Sequence, residues 1–307
     1  MAEIKRDTRL DWIKGFLIVC VVLGHTMRVG ACSDVVDKIV LKGIYGFHMP
    51  LFMVIAGYFF KMTEPGEMFR KILSRVVLPY MVASVLFNAI YVCVEGRSLV
   101  DAITGVIVGR ANGALWFLYA LAVIQLVLAV GVWIGQLRLG KRLAIVACAG
   151  LFALATQSPI RCEAWMVFYF GAGMLLARSN DFFPSGIIGV FGFVGILWYG
   201  HPWYTELCWQ TIGLSLFALM SLHGLAVAAS EIKVTNVFTK LGRHTMVILI
   251  FHPFFNNVYK FMMKPLLALD GSGIVFFLSS ACFSVCSCLL LELALKKCRV
   301  GWVFGVR

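Results

Sequence analysis

Charged side chains are scarce in this sequence: Asp, Glu, Lys and Arg make up only 14% of its 307 residues, about half the share found in soluble globular domains. Hydrophobic residues account for 61%, and the mean hydropathy is +0.91. Apolar runs of about 20 residues recur along the chain, and each is long enough to cross a hydrocarbon layer about 30 Å thick as a helix. The shortage of charge therefore excludes a soluble domain and predicts an all-α, polytopic membrane bundle.

Other features are missing too, and each absence excludes a class of protein or segment. The apolar runs are continuous, without the alternation that the strands of an outer-membrane β-barrel require. No small-residue cleavage site follows the first run, so it is predicted to be a retained span and not a removed signal peptide. No repeat, low-complexity linker or separate soluble domain is visible, which predicts one integral membrane domain over residues 1–307.

The ten cysteines form neither a CxxC pair nor the spacing of a metal site, so no bound metal is expected. Cys282, Cys286 and Cys288 lie in an apolar run, where Cys usually behaves as a small buried hydrophobe. Cys32 and Cys162 are predicted to face the outer compartment, and the sequence leaves open whether they pair.

Ten segments are predicted to span the membrane, and the Lys and Arg residues between them define the topology. The segments are 15–31, 42–60, 76–94, 115–135, 143–158, 163–178, 186–200, 205–229, 244–262 and 273–295. The 27 Lys and Arg residues divide 19 to 8 between the two sides, which predicts that both termini are cytoplasmic. Topology thus explains the net charge of +12, and no nucleic-acid partner is expected. We expect the protein in the inner (cell) membrane of a bacterium.

The first span carries ionisable residues on one face. His25 follows Lys14 by eleven residues, or about three helical turns, so the two share a helix face about 16 Å apart. Asp11 lies within about 40° of the same stripe. Such residues inside a membrane bundle are costly to bury and are candidates for a functional site. The alternative is that His25 is a hydrogen-bonded core histidine.

The second span carries His48 at a depth similar to that predicted for His25. Pro50 lacks an N–H group and predicts a kink beside His48. The two imidazoles are therefore predicted to form one intramembrane site, with a polar helix–helix contact as the alternative. His223 and His252 are weaker candidates for the same cavity.

A cluster of cations precedes the third span. Arg70, Lys71 and Arg75 are predicted to lie at the cytoplasmic interface, at the level of Lys14. Four cations at one entrance suit a polyanionic ligand such as a nucleotide diphosphate. Positive-inside loops require the same residues, so this interpretation competes with a purely topological one.

The outer side offers fewer candidates. Arg161, Glu163 and His201 are predicted there, where an outward-facing acceptor could contact them. Segment 95–114 is predicted to be either re-entrant or an amphipathic helix on the outer face.

Five segments, in order along the chain, resemble the acyltransferase-3 family of integral membrane O-acyltransferases, and within it the fucose 4-O-acetylase-like branch. They read RLDWIKGFLIVCVVLGH, FHMPLFMVIAGYFF, SRVVLPY, LWFLYAL and LGRHTMVILIFHPFF. The resemblance implies ten spans and transfer of an acyl group, usually acetyl, from cytosolic acyl-CoA to a hydroxyl of a cell-surface glycan or of its lipid-linked precursor. It maps the family's essential histidine to His25 and its partner basic residue to Lys14, where many members carry Arg. The esterase-like C-terminal domain of some relatives is not expected here.

The chemistry agrees with that implication. Deprotonation of an attacking hydroxyl needs a base, and an imidazole with a pKa near 6.5 is suited to this role. His25 is the predicted base, with His48 and Asp11 as further catalytic candidates. Lys14, Arg70, Lys71 and Arg75 are the predicted acyl-CoA-binding residues.

The expected partners are acyl-CoA as co-substrate, a glycan or lipid-linked sugar acceptor and membrane lipid, with no tightly bound cofactor. A covalent acetyl-histidine intermediate is left open. A transporter or proton-coupled channel with relaying histidines is the competing class, and a non-catalytic, acceptor-binding membrane protein is a third.

Overall fold

The structure is a computed structural model that describes residues 7–29, 42–110, 114–136, 140–157, 162–178, 186–200, 205–229, 236–265 and 273–305. Within these ranges the chain is helical and contains no strand, so the all-α class is confirmed.

Thirteen α-helices are described within these ranges. They are α1 (Thr8–Val29), α2 (Lys42–Phe59), α3 (Pro65–Ile72), α4 (Leu78–Glu95), α5 (Leu99–Ile107), α6 (Trp116–Gln136), α7 (Gly140–Gln157), α8 (Ala164–Leu176), α9 (Gly186–Tyr199), α10 (Trp209–Ala229), α11 (Asn236–Leu241), α12 (Thr245–Met262) and α13 (Ile274–Lys297). A π-helical turn, Leu73–Val77, joins α3 to α4, and a 3₁₀ turn, Gly301–Phe304, follows α13.

Each of the ten predicted spans coincides with a helix. In the described part of the chain, four helices are long and apolar enough to cross a membrane by length and composition: Pro65–Glu95, Trp116–Gln136, Trp209–Ala229 and Ile274–Lys297. These helices and the apolar composition identify an integral membrane protein. The count of ten spans stays a prediction.

The chain divides into two compact units. One comprises Met1–Ile55 and Leu175–Leu291, and the other comprises Ala56–Met174 and Glu292–Arg307.

In the first unit, α1 packs against α11 through glycines. A Cβ atom on Gly15 would overlap the carbonyl oxygen of Phe238, and one on Gly242 would overlap that of Asp11. Only residues without a side chain allow two backbones to approach so closely. These two contacts fix the short α11, and the chain that leads into α12, against the start of α1.

The same unit shows why α9 is rich in glycine. This helix has only 14 residues, and it packs antiparallel on α10. A Cβ on Gly186 would lie 2.8 Å from Gly224 Cα, and one on Gly189 would lie 2.6 Å from the backbone nitrogen of Ser221. The glycines therefore serve close helix packing, as is common in membrane bundles.

In the second unit, α3, the π turn and α4 form one continuous helix, Pro65–Glu95. It runs antiparallel to α6: Gln136 Nε2 donates to Glu64 at 3.3 Å, and the rings of Tyr80 and Tyr119 lie 5.4 Å apart. Residues 65–75 thus lead into the third span as part of one helix, and their predicted position at the cytoplasmic interface stays a prediction. The segment continues the span because the apolar side of α3 packs on α6.

Pro79 accounts for the π turn. Proline has no N–H group for the carbonyl four residues earlier, which belongs to Arg75, and its ring would clash with that carbonyl in a regular α-helix. The wider turn avoids the clash, and the N–H of Leu78 bonds to the carbonyl of Leu73 instead. Arg75 is thus exposed on a widened turn.

The described part of segment 95–114 that contains α5 folds back toward the start of α4. Tyr80 Oη donates to the carbonyl of Val106 at 2.6 Å, and Tyr119 Oη donates to that of Ile107 at 2.8 Å. The C-terminal end of α5 therefore lies at the N-terminal end of α4, an arrangement that favours the re-entrant alternative.

Candidate active site

Two histidines from distant segments meet in the first unit. His25 Nδ1 lies 2.5 Å from His252 Nε2, and the ring centroids are 4.8 Å apart with planes that differ by 10°. So short a nitrogen–nitrogen contact between nearly parallel rings is an in-plane hydrogen bond. His25 is partly buried and His252 is fully buried.

The hydrogen bonds determine which nitrogen of each neutral ring carries the proton. His252 Nδ1 lies 2.8 Å from the carbonyl oxygen of Ile248, and a carbonyl only accepts, so this nitrogen carries hydrogen. Nε2 of a neutral His252 is then an acceptor, and His25 Nδ1 must donate to it. The nitrogen of the two histidines that carries the basic lone pair is therefore Nε2 of His25.

This arrangement suits a general base. When His25 Nε2 takes up a proton, its Nδ1–H bond to His252 becomes charge-assisted and stronger. His252 holds the His25 ring in one orientation and one tautomer, which is the role that a carboxylate has in a serine-protease triad. The chain of hydrogen bonds ends at the Ile248 carbonyl, which cannot pass a proton on.

His48 lies near this level on α2. Its Nδ1 donates to the carbonyl of Ile44 at 2.6 Å, and its ring packs edge-on against Tyr45, with centroids 4.9 Å apart. A Cβ on Gly24 would lie 2.9 Å from the Tyr45 ring, so α1 and α2 touch one residue before His25. The similar depth of the two imidazoles agrees with this contact. The imidazole bonded to His25 is nevertheless that of His252, which the sequence ranked below His48.

At the other end of α1, Asp11 holds two cations. Its side chain is 3% exposed, and it lies 2.7 Å from Lys14 Nζ and 3.6 Å from Arg243 Nε. Asp11 precedes His25 by 14 residues, which is about 21 Å along the helix. The structure thus places Asp11 with the cations and away from the histidine pair, and its predicted catalytic role stays a prediction.

The predicted cations of the second unit differ in their partners. Lys71 Nζ lies 2.8 Å from Glu67 in the preceding turn, so its charge is partly compensated. Arg70 and Arg75 are exposed, and no ion pair is seen for either among the described residues. Their predicted grouping with Lys14 stays a prediction.

Among the outer candidates, Glu163 is described, whereas Arg161 and His201 lie outside the described residues. Glu163 Oε2 accepts from Trp165 Nε1 at 2.8 Å, and Trp165 packs edge-on against Trp116 at 5.9 Å. Glu163 therefore orients a buried indole near the start of α8. Cys162 is buried, and its suggested partner Cys32 also lies outside the described residues.

Sequence reasoning missed Arg243 and undervalued His252. A signal was present, because Arg243, two residues before α12, precedes His252 within α12 by nine positions, much as Lys14 precedes His25 by eleven on α1. In the structure Arg243 shares Asp11 with Lys14, and His252 bonds to His25. Helices α1 and α12 therefore run parallel, with one pair of contacts at each end.

Residues 7–293 match the model of the family described as an acyltransferase domain, acyltransferase-3. Nodulation protein NolL of Sinorhizobium fredii (strain NBRC 101917 / NGR234) is 47% identical over 57 residues, which cover 17% of this chain and 15% of that protein. Nodulation protein NolL of Mesorhizobium japonicum (strain LMG 29417 / CECT 9101 / MAFF 303099) is 40% identical over 70 residues, or 22% of this chain and 17% of that protein. The chain thus spans less than a fifth of the length of either relative. No solved structure matches it.

Proposed function

The chain belongs to the acyltransferase-3 family, and from this premise we propose that it is an integral membrane O-acyltransferase. In this proposal an acyl group passes from cytosolic acyl-CoA to a hydroxyl of a cell-surface glycan or of its lipid-linked precursor. Acetyl is the acyl group that we propose. The observation that carries the proposal is the hydrogen bond between His25 and His252, which leaves a basic nitrogen on His25.

The reaction can be written with these residues. His25 Nε2 takes the proton of the acceptor hydroxyl as its oxygen attacks the thioester carbonyl. The tetrahedral intermediate collapses, the carbon–sulfur bond breaks, and the imidazolium of His25 returns the proton to the leaving thiolate. General base catalysis of this kind contributes about 10²–10⁴-fold. His48 would orient the hydroxyl or the His25 ring.

The parallel course of α1 and α12 supports the ten-span topology. Parallel helices in a membrane require an odd number of crossings between them, and the predicted topology has seven, the second to the eighth span. With cytoplasmic termini, the Lys14 end of α1 faces the compartment that contains acyl-CoA. The inner membrane of a bacterium, and a sugar hydroxyl as in the fucose 4-O-acetylase-like branch, belong to the same proposal.

The transporter hypothesis has less support. Many transporters place their site between inverted repeats, whereas here His252 lies on α12, a helix parallel to α1, and Arg243 lies in the turn just before α12. A conduit would also need to pass a proton beyond His252, and that chain of hydrogen bonds ends at a carbonyl.

The test combines a gene deletion with complementation. Deletion should remove O-acetyl groups from surface glycans, as measured by mass spectrometry, and wild-type protein should restore them. The His25→Ala variant should be inserted at normal levels but should lose at least about nine-tenths of the activity, given the usual effect of a general base. Unchanged acetylation in the deletion strain would reject the acyltransferase proposal. A variant with normal turnover would reject the role of His25.

A further inference from the structure

The buried carboxylate of Asp11 contacts two cations, one on α1 and one just before α12. This carboxylate carries one negative charge, while Lys14 at 2.7 Å and Arg243 at 3.6 Å carry two positive charges. A buried carboxylate is costly unless it is paired, which accounts for one cation. The second cation, Arg243, shares the same carboxylate with Lys14.

The backbone holds Arg243 in place. The residue before it, Gly242, packs on the carbonyl of Asp11, and Gly15 packs on that of Phe238. Both contacts are between backbones, so they do not depend on flexible side chains. The backbone of Arg243 is therefore held in a fixed position beside Asp11 and Lys14.

The side chain of Arg243 is available to a ligand. It is 48% exposed, while that of Asp11 is 3% exposed. It approaches Asp11 through Nε, and its two terminal nitrogens make no ion pair with the other described residues. A guanidinium can bind a phosphate with two parallel hydrogen bonds, whereas the ammonium group of Lys14 acts as a point charge.

The distance from these cations to the histidine pair suits one particular kind of ligand. His25 follows Lys14 by eleven residues of α1, which is about 16 Å along the helix. His252 lies seven residues, or roughly 10 Å, beyond Thr245 at the start of α12, and Arg243 lies two residues before Thr245. Acyl-CoA carries its diphosphate at one end of an extended pantetheine arm and its thioester at the other. One such molecule can reach both ends of the α1–α12 pair.

We propose that Arg243 and Lys14 form a phosphate clamp for the acyl donor, and that Asp11 is the positioning residue that holds both cations. The clamp rests on the proposed function, because it assigns the phosphate end of the donor to the cations and the thioester end to the histidines. The opposing interpretation is that the ion pairs only fasten α1 to the chain that precedes α12.

The experiment compares two donors on the purified full-length protein. Acetyl-CoA carries the phosphates, and S-acetylpantetheine carries the same thioester without them. Arg243→Ala should raise KM for acetyl-CoA about tenfold to a hundredfold, as expected for a lost charge-assisted hydrogen bond. The kcat with S-acetylpantetheine and the KM for the acceptor should stay within about twofold of wild type, and Arg243→Lys should recover part of the loss. Lys240→Ala removes an exposed cation three residues earlier and should leave every constant unchanged.

Asp11→Asn tests the positioning role, because it keeps the shape of the side chain and removes the charge that holds the cations. It should raise KM for acetyl-CoA by a larger factor than it changes KM for S-acetylpantetheine. Binding of coenzyme A, measured by the rise of Tm that it causes, checks the same point for variants too slow to assay. Coenzyme A should raise the Tm of wild type and of Lys240→Ala, and much less that of Arg243→Ala.

The outcomes separate the clamp from the proposed function. Equal losses with both donors in Arg243→Ala and Arg243→Lys, together with an undiminished Tm rise from coenzyme A, would assign the ion pairs to helix fastening and overturn the clamp. Wild-type protein that transfers acetyl from neither donor would overturn the proposed function itself.

Discussion

His252 illustrates at the residue scale how a buried side chain can act without touching the substrate. It accepts the Nδ1–H of His25 and donates to the Ile248 carbonyl, so it selects the tautomer in which the lone pair lies on His25 Nε2, the proposed base. A neutral, fully buried imidazole does this without placing a formal charge in the bundle, which an aspartate in the same role would do.

Replacement of His252 by Leu should lower kcat by about tenfold to a hundredfold, because His25 then loses the acceptor that orients its ring. The KM for acetyl-CoA should change little, since the phosphate end of the donor is proposed to bind at the other end of the helices. Steady-state kinetics on equal amounts of folded protein measure both constants. His252→Gln, which keeps a side-chain acceptor, should recover part of the lost kcat, and a full kcat in His252→Leu would contradict the orienting role.

At the scale of elements, glycine contacts decide which helices meet. Gly15 and Gly242 bring α1 and the chain leading into α12 to backbone contact, and this contact places Arg243 beside Asp11. In the other unit, Pro79 widens the helix between α3 and α4 and exposes Arg75. Glycine and proline residues, which carry no functional group, therefore position Arg243 and Arg75.

Gly15→Ala should destabilise the protein by about 1–3 kcal/mol, because the added Cβ overlaps the Phe238 carbonyl and neither backbone can move freely. Gly43→Ala, in α2, is the matched control, since nothing lies within 4 Å of the added atom. That variant should be neutral or more stable by about 0.5–1 kcal/mol, the ordinary gain of Ala over Gly in a helix. Thermal unfolding in detergent measures both, and equal Tm values for the two variants would refute the role of Gly15.

Arg75→Ala should raise the apparent KM for acyl-CoA and leave that for the acceptor nearly unchanged, because the exposed guanidinium on the π turn is suited to phosphate. Arg75→Lys should recover only part of the loss. If Arg75 only anchors its helix to lipid headgroups, the variant should give less protein with normal kinetics. Kinetics on equal amounts of folded protein distinguish these outcomes, and unchanged acyl-CoA dependence would remove Arg75 from the site.

At the scale of the whole molecule, the predicted topology can be tested directly. Reporters fused to the two termini should both give cytoplasmic signals, because the Lys and Arg residues divide 19 to 8 and the number of predicted spans is even. A C-terminal reporter in the outer compartment would mean an odd number of spans, and the short α9 would be the first to be excluded.

The sequence by itself determined the all-α membrane class, because apolar runs and helix lengths are local properties of the chain. It also placed Lys14, Asp11 and His25 on one face of α1, since the geometry of a single helix follows from residue spacing. Only the tertiary structure decided that His252 meets His25 across 227 residues, and that Arg243 shares Asp11 with Lys14. No periodicity contains that information, because such contacts depend on which backbones can approach closely, and here two glycines on different segments make that choice. The continuous Pro65–Glu95 helix has the same origin, since it depends on the packing of Met68 and Ile72 of α3 against Ala129 of α6.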